Sequence, residues 1–289
     1  MSQAGKDVLE ERLTRAIEAY HEAALLYAAV KLGLAEAMGT RAWTPETLAA
    51  ALGLFAPHLA RFLRGLCIVG ICEERADGSF ALTPLGQSLT SGSRLAQKVQ
   101  IVVEQYWQPW ASLTSTLQTG TPAFAQTFGA SVFDWRRDHA EQGAMFASYL
   151  AKTTQAETEA ILAALDVAET DRVVEIGGAD IFPATLPANA DLYVLQGVLQ
   201  NCADEDAAAI LHNCRAALRD GARLVIVERL RPERATDDPA AVMLDLHMMT
   251  ITGGRARSFA EIETLLSRSR FKLSGVTATG RGLSVIEAI

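Results

Sequence analysis

Asp171-Arg-Val-Val-Glu-Ile-Gly-Gly178 is the stretch on which the fold turns. Arg172–Ile176 is a short, mostly apolar run that stops at two glycines, as a buried strand does where the chain must turn sharply. A second apolar run follows at Asp191–Leu199, then a polar break and an amphipathic helix, Asp204–Leu218. Asp220-Gly221 turns the chain into a third strand, Arg223–Glu228. Ser258 caps a helix over Phe259–Arg268, and the strands Phe271–Thr277 and Leu283–Ile289 complete the pattern. Strands alternating with helices predict an α/β domain, with a mainly parallel sheet covered on both faces and one antiparallel pair at its edge.

Before Asp171 the sequence reads as helical. An apolar stripe through Leu13, Ile17, Tyr20, Ala24, Tyr27 and Val30 predicts a helix over Leu9–Met38, stopped by Gly39. Thr44 caps a helix with Pro45 at its first position, Gly53 ends it, and a third helix after Pro57 presents Leu59, Phe62, Leu63 and Leu66. Ile71–Arg75 and Ser79–Leu82, joined through Ala76-Asp77-Gly78, form a hairpin. Three helices and a hairpin predict a winged-helix arrangement. Pro57–Gly70 carries only Arg61 and Arg64 among Leu, Phe, Ile and Val, which suits burial against a helix or a second subunit and not a DNA groove. Ser93–Gln118 and Ala140–Leu165 complete the helical half. The aromatics there, Trp110 and Phe146 among them, fit either a packed core or the wall of a small-molecule pocket. The expected organisation is 1–105, helical winged-helix domain; 106–170, helical linker and pocket segment; and 171–289, α/β domain.

The whole-chain figures agree. At 289 residues, two cores are the default, and 49% hydrophobic with 21% charged residues is globular composition. A net charge of −8 gives no reason to expect a nucleic acid or an anionic membrane as partner. No stretch approaches the ~20 apolar residues of a spanning helix, and the first residues carry no apolar signal core. Four cysteines, with Cys67 and Cys72 the nearest pair, read as buried structural thiols in a reducing compartment, so the expected location is cytoplasmic. The five histidines are scattered, and no metal site is predicted.

Four stretches together carry a family resemblance: Gly120-Thr-Pro-Ala-Phe124; Val173–Gly178; Asp191–Leu195 with Asp204–Leu218; and Leu244-Asp-Leu-His-Met-Met-Thr-Ile-Thr-Gly-Gly254. On these residues the chain resembles the S-adenosylmethionine-dependent small-molecule O-methyltransferases of the bacterial hydroxyneurosporene and plant caffeate type. The resemblance runs from about Ala23 to the end. It implies a winged-helix dimerisation domain, a homodimer formed through it, and a class I methyltransferase (Rossmann-like) domain using S-adenosylmethionine. Gly177, Gly178 and Asp180 fall on its cofactor-binding positions. Gln200 and Glu228 fall on catalytic positions. Trp110, Phe146, Leu150, His247, Met248 and Ile251 are the expected substrate wall.

The sequence also departs from that pattern. Gly177-Gly178 is followed almost at once by Asp180-Ile-Phe182, a pattern that in the family comes after a later strand. A segment of roughly fifty residues, more than a βαβ unit of ~30, is therefore missing. It would carry the second strand with the ribose-binding carboxylate, and its loss leaves the Arg172–Ile176 strand as a new sheet edge. The family's catalytic histidine is Gln200 here, whose amide is no base near neutral pH. Of the two carboxylates flanking that histidine, one is retained as Glu228 and the other is replaced by Ala256. A basic residue that approaches the cofactor is replaced at Gln196 or Gly197. Glu228 has an alternative reading as a strand-end residue paired with Arg229 or Arg231.

The expectation is thus a protein that acts on a small hydrophobic or aromatic hydroxylated metabolite, with impaired or lost use of S-adenosylmethionine. The competing readings are a cofactor-independent protein that binds or rearranges such a metabolite, and a non-catalytic dimeric partner, a pseudoenzyme.

Overall fold

A computed structural model describes residues 3–165, 172–177, 186–188 and 190–289, which fall into two units, Met1–Trp107 and Gln108–Ile289. In the first unit the helix expected over Leu9–Met38 is three helices: α1 (Gln3–Glu18), α2 (Tyr20–Lys31) and α3 (Leu34–Met38). The second break centres on Gly33, at φ 62°, a left-handed conformation that ends a helix and costs glycine nothing. Leu9, Leu13 and Ile17 of α1 are 49–66% exposed.

α4 (Pro45–Leu52) starts as its sequence dictates: Thr44 Oγ1 accepts the Thr47 N–H and Gly53 closes the helix at φ 67°. α5 (Ala56–Ile68) begins one residue before Pro57 and buries Leu59, Leu63 and Leu66. The hairpin forms as expected, with β1 (Cys72–Glu74) antiparallel to β2 (Phe80–Leu82), and Asp77 Oδ1 accepts from both N–H and hydroxyl of Ser79 at the turn. α6 (Pro84–Gln87) and α7 (Arg94–Ile101) follow. The long helix expected over Ser93–Gln118 is interrupted by a π-helical turn, Val102–Tyr106, before α8 (Trp107–Ala111) and α9 (Leu113–Thr119). Pro109 has no N–H and its ring crowds the carbonyl four residues back, which is where the regular ladder is lost.

In the second unit α10 (Ala123–Phe128), α11 (Val132–Asp138) and α12 (Ala140–Ala163) precede the sheet strands β3 (Val173–Ile176) and β4 (Leu192–Gln196). Next come α13 (Asp204–Ala217), β5 (Arg223–Glu228), α14 (Pro239–Ile251), α15 (Phe259–Arg268), β6 (Leu273–Ala278) and β7 (Ser284–Ala288). Strand order is β3-β4-β5-β7-β6; β3, β4 and β5 are parallel, and β7 runs antiparallel between β5 and β6. Period-two alternation sends Leu224 and Ile226 to one face, where they pack with Leu211 of α13 and Leu266 of α15. Val225 and Val227 go to the other, against Ile161 of α12. Both faces are covered, which explains why Leu224–Val227 of β5 is apolar without interruption.

Among the described residues β3 is the edge of the sheet, as the sequence led one to expect, and Val173 on it is 48% exposed. Cys72, Cys202 and Cys214 are buried free thiols that burial pushes up to about 12; Cys67 is half-buried. No single helix among the described residues is long and apolar enough to cross a membrane.

Candidate active site

The quoted sequence stretches converge on one short turn. β4 ends at Gln196, Gly197 turns at φ 60°, and Leu199–Asn201 forms a single 3₁₀ turn carrying Gln200. β5 runs beside β4 with Gln196 opposite Val227, so Glu228 arrives beneath that turn. Its Oε1 accepts the backbone N–H of Gln200 at 2.9 Å. Glu228 is 2% exposed. Burial pushes its carboxyl up to about 7, against the opposing pull of the Gln200 and Leu199 N–H groups and of the Arg257 charge. The alternative pairing of Glu228 with Arg229 or Arg231 is corrected: Arg229 Nη1 binds Asp238 at 2.7 Å and Arg231 Nη2 binds Glu261 at 2.8 Å.

Arg257 clamps the same turn from the other side. It is 1% exposed, donates to the carbonyls of Leu199 at 2.6 Å and Cys202 at 2.9 Å, and reaches Asp204 Oδ1 from Nε at 3.0 Å. Gly254 lies so close that a Cβ there would stand 2.2 Å from the Gln200 carbonyl oxygen. Gly253, at φ 80°, faces Pro122, whose Cγ would be 3.0 Å from a Cβ. The Gly120–Phe124 segment, the Gln200 turn and the double glycine are therefore neighbours by contact.

Ala256, where the second carboxylate is expected, is 1% exposed, and its N–H donates to Asp245 Oδ1 at 2.9 Å. Asp245 of α14, two residues before His247, thus holds the backbone at 256, while the side chain there is a buried methyl group. Sequence reading missed Asp245, Arg257 and Asp204. The only signal for them was their adjacency to motif residues.

Of the expected substrate wall, Trp110 and His247 meet directly. Trp110 Nε1 donates to His247 Nδ1 at 3.1 Å, with the rings stacked at 6.2 Å and 20°. Because Nδ1 accepts, neutral His247 carries its proton on Nε2. Burial, helped by the charge of Arg136, brings its pKa down to about 4. The Arg136 guanidinium lies over the Phe146 ring, 3.4 Å from the centroid, and so adds Phe146 to the group. Met248 and Ile251 are buried on α14, and Leu150, one turn on from Phe146 on α12, is 40% exposed.

The cofactor positions are placed less completely. Gly177 is exposed at the end of β3, and among the described residues a Cβ there would meet only Val198 Cγ2, at 3.6 Å, an ordinary contact. Gly178 and Asp180 lie outside the described residues. Gln196, where a basic residue is expected, donates from Nε2 to Glu157 Oε2 at 2.9 Å. Among the described residues no strand lies beyond β3 to bring a carboxylate to a ribose. Of the three cofactor positions, the described residues thus include Gly177 alone, and they bring no carboxylate beyond β3.

Comparison with known proteins extends these observations. An O-methyltransferase domain model matches in two stretches, 110–180 and 169–272, and an O-methyltransferase dimerisation domain model matches 14–92. The chain is 30% identical to the phenazine O-methyltransferase PhzM of Lysobacter antibioticus, over 99% of this chain and 98% of that protein. The fold is that of the crystal structure of LaPhzM, with a TM-score of 0.89 and 29% identity, over 97% and 98% of the two chains. CalO1, a methyltransferase in calicheamicin biosynthesis solved in its SAH-bound form, gives a TM-score of 0.79 at 26% identity, over 100% and 99%. The alignment with the Lysobacter protein runs to 337 positions; 337 less the 289 residues of this chain leaves at least 48 without a counterpart here. That agrees with the missing segment read from the sequence, and the family match breaks into its two stretches at 169–180.

Proposed function

The chain belongs to the O-methyltransferase family, and from that premise we propose that it is a dimeric protein acting on a small aromatic hydroxylated metabolite, with use of S-adenosylmethionine impaired or lost. The observation that carries this reading is the sheet edge at β3, set against the Lysobacter relative, whose alignment leaves at least 48 positions without a counterpart here. A carboxylate binding both ribose hydroxyls is a strong, charge-assisted anchor for a nucleoside, and no described residue takes that place. Gln200 supports the reading from the chemical side: its amide can orient a hydroxyl but takes no proton from it. Glu228, the retained carboxylate, is turned onto the backbone of the Gln200 turn. The exposed Leu9, Leu13 and Ile17 of α1 and the dimerisation-domain match support pairing through the winged-helix half.

The intact Trp110–His247 contact favours metabolite binding over a purely structural role. It also leaves room for a second reading, a cofactor-independent rearrangement guided by the wall. Calorimetric titration of the full chain with S-adenosylhomocysteine tests the first. Little or no heat up to about 1 mM is expected, and a dissociation constant near 1–10 μM, about −8 to −7 kcal/mol, overturns it.

A further inference from the structure

We propose that the end of the sheet where β5 and β6 begin is a docking surface for an acidic segment of a protein partner, centred on Arg215, Arg268, Arg270 and Lys272. The topology brings the four together. Leu224 near the start of β5 and Leu273 at the start of β6 both pair with Ala288 of β7, so the two strands start at the same end of the sheet. α13 and α15 pack on one face of that sheet, and each ends a few residues before one of these strands. Arg215 and Arg268 stand in the last turns of the two helices, and Arg270 and Lys272 flank Phe271 on the way into β6. Phe271 is the pivot of the group. It is 4% exposed, with exposed Arg270 and Lys272 on either side, so both turn away from the core that the ring enters. The Arg215 guanidinium stands 5.6 Å from the centroid of the same ring.

The helix macrodipole accounts for cations in the last turns of α13 and α15. It does not account for Arg270. α15 ends in a Schellman turn, with the Phe271 N–H donating to the Leu266 carbonyl at 2.9 Å and the Arg270 N–H to that of Ser267 at 3.1 Å. This places Arg270 at φ 62°, where a Cβ crowds the backbone and glycine is the usual occupant. Every other residue at positive φ among the described residues is a glycine. An arginine here costs stability, and its exposed side chain makes no ion pair among the described residues to offset that cost. The same holds for Arg215, Arg268 and Lys272, whereas two nearby arginines are neutralised, Arg219 by Asp191 and Arg223 by Glu287.

The setting selects the partner. The four cations are solvent-exposed, where a single small anion gains little from any one of them. Several carboxylates presented together by one protein surface engage them in a single binding event. A long polyanion fits worse. The chain as a whole carries −8 and repels whatever overruns the patch, while a compact partner meets only the charges within a Debye length of ~8–10 Å. The aromatic ring at the centre is buried, so it offers no platform on which nucleic-acid bases could stack.

The test uses the full chain and a fluorescein-labelled peptide of about twelve glutamates, titrated by anisotropy in about 50 mM and about 300 mM sodium chloride. The wild type is expected to bind it with a dissociation constant below about 100 μM at the lower salt, and about tenfold or more weakly at the higher. Arg268→Glu combined with Lys272→Glu should weaken binding about tenfold or more. Arg61→Glu combined with Lys98→Glu makes the same change in net charge on the first unit and should leave binding within about twofold. Arg270→Gly should raise the melting temperature by relieving the turn, yet weaken the peptide about two- to fivefold. That variant decides the question alone if the paired reversal does not fold. Absence of binding at about 1 mM, equal losses in the two paired variants, or unchanged binding by Arg270→Gly overturns the assignment. Tighter binding of a DNA duplex of about 20 base pairs than of the peptide, at the same salt, overturns it too.

Discussion

Glu228 Oε1 sits 2.9 Å from the backbone nitrogen of Gln200, at 2% exposure, and that one contact ties the end of β5 to the turn after β4. A side chain that takes a backbone proton as its hydrogen-bond partner is acting as a cap. The carboxylate that the family resemblance places at a catalytic position thus meets the backbone of a residue whose side chain is an amide. Arg257 grips the same turn through two carbonyls, so Gln200 is positioned from both ends of the peptide unit.

The buried carboxyl makes stability depend on pH in a definite direction. Burial raises Glu228 from an ordinary 4.5 to about 7, so between those values the folded protein holds a proton that the unfolded chain has released. Its stabilising contribution is complete below 4.5 and is lost as pH rises through 7. Glu228→Gln keeps an oxygen to accept from Gln200 and removes the ionisation. The variant is expected to match the wild type near pH 4.5 and to exceed it near pH 8 by up to about 3 kcal/mol. Urea melts at the two pH values check this, and a constant difference between the proteins would sink it.

Gly254 provides a steric test of the convergence at the turn. A methyl group 2.2 Å from the Gln200 carbonyl oxygen cannot be accommodated without moving one backbone segment. Gly254→Ala is expected to cost about 3 kcal/mol or more, at the upper end of overpacking. Gly275, whose added Cβ would meet its nearest atom at 3.8 Å, serves as control: Gly275→Ala should change stability by less than about 1 kcal/mol. Equal denaturation midpoints for the two variants would refute the close approach.

These residues also mark how far the sequence could be read. Strand and helix order followed from apolar runs bounded by caps such as Thr44-Pro45 and Ser258, whose partner Glu261 completes a capping box. Gln200 and Glu228 were found because motif spacing carries them. The break after α1 was hidden, since an alanine-rich run propagates helix past Ala19 with no breaker. The π-helical turn was hidden because the tension arises from a proline several residues downstream. Arg255 and Arg257 look alike in sequence, yet the Arg255 side chain is 43% exposed and that of Arg257 is fully buried. Arg136 and Arg137 diverge in the same way, because only the fold decides which of two neighbouring arginines faces an aromatic ring.

The Trp110–His247 hydrogen bond is open to direct measurement. An indole N–H donating to Nδ1 favours the neutral ring, so Trp110→Phe should raise the His247 pKa from about 4 toward the ordinary 6.5. In the wild type the folded protein holds fewer protons than the unfolded chain between those values, and stability therefore falls as pH drops through that window. Trp110→Phe should narrow the window from below and cost about 1 kcal/mol near neutral pH through the lost bond. Nitrogen–proton correlation spectra of the imidazole across pH give both tautomer and pKa. An Nδ1-protonated ring would contradict the geometry.

Gln200→His separates the two lesions that the sequence suggests. A general base contributes ~10²–10⁴ in rate, so if its loss were the whole defect, restoring the imidazole would return activity of that order. If the ribose side of the cofactor site is the limiting loss, the new base has no correctly held methyl donor to serve, and proximity fails first. The expected outcome is that Gln200→His and the wild type both leave labelled methyl groups on S-adenosylmethionine when offered 6-hydroxy-2-naphthoate. Glu228 still caps the turn through the backbone N–H of position 200, which the substitution leaves in place, so inactivity cannot be ascribed to a lost cap. Methylated product rising about a hundredfold in Gln200→His would locate the defect at the base alone and restore the chain to the cofactor-using enzymes.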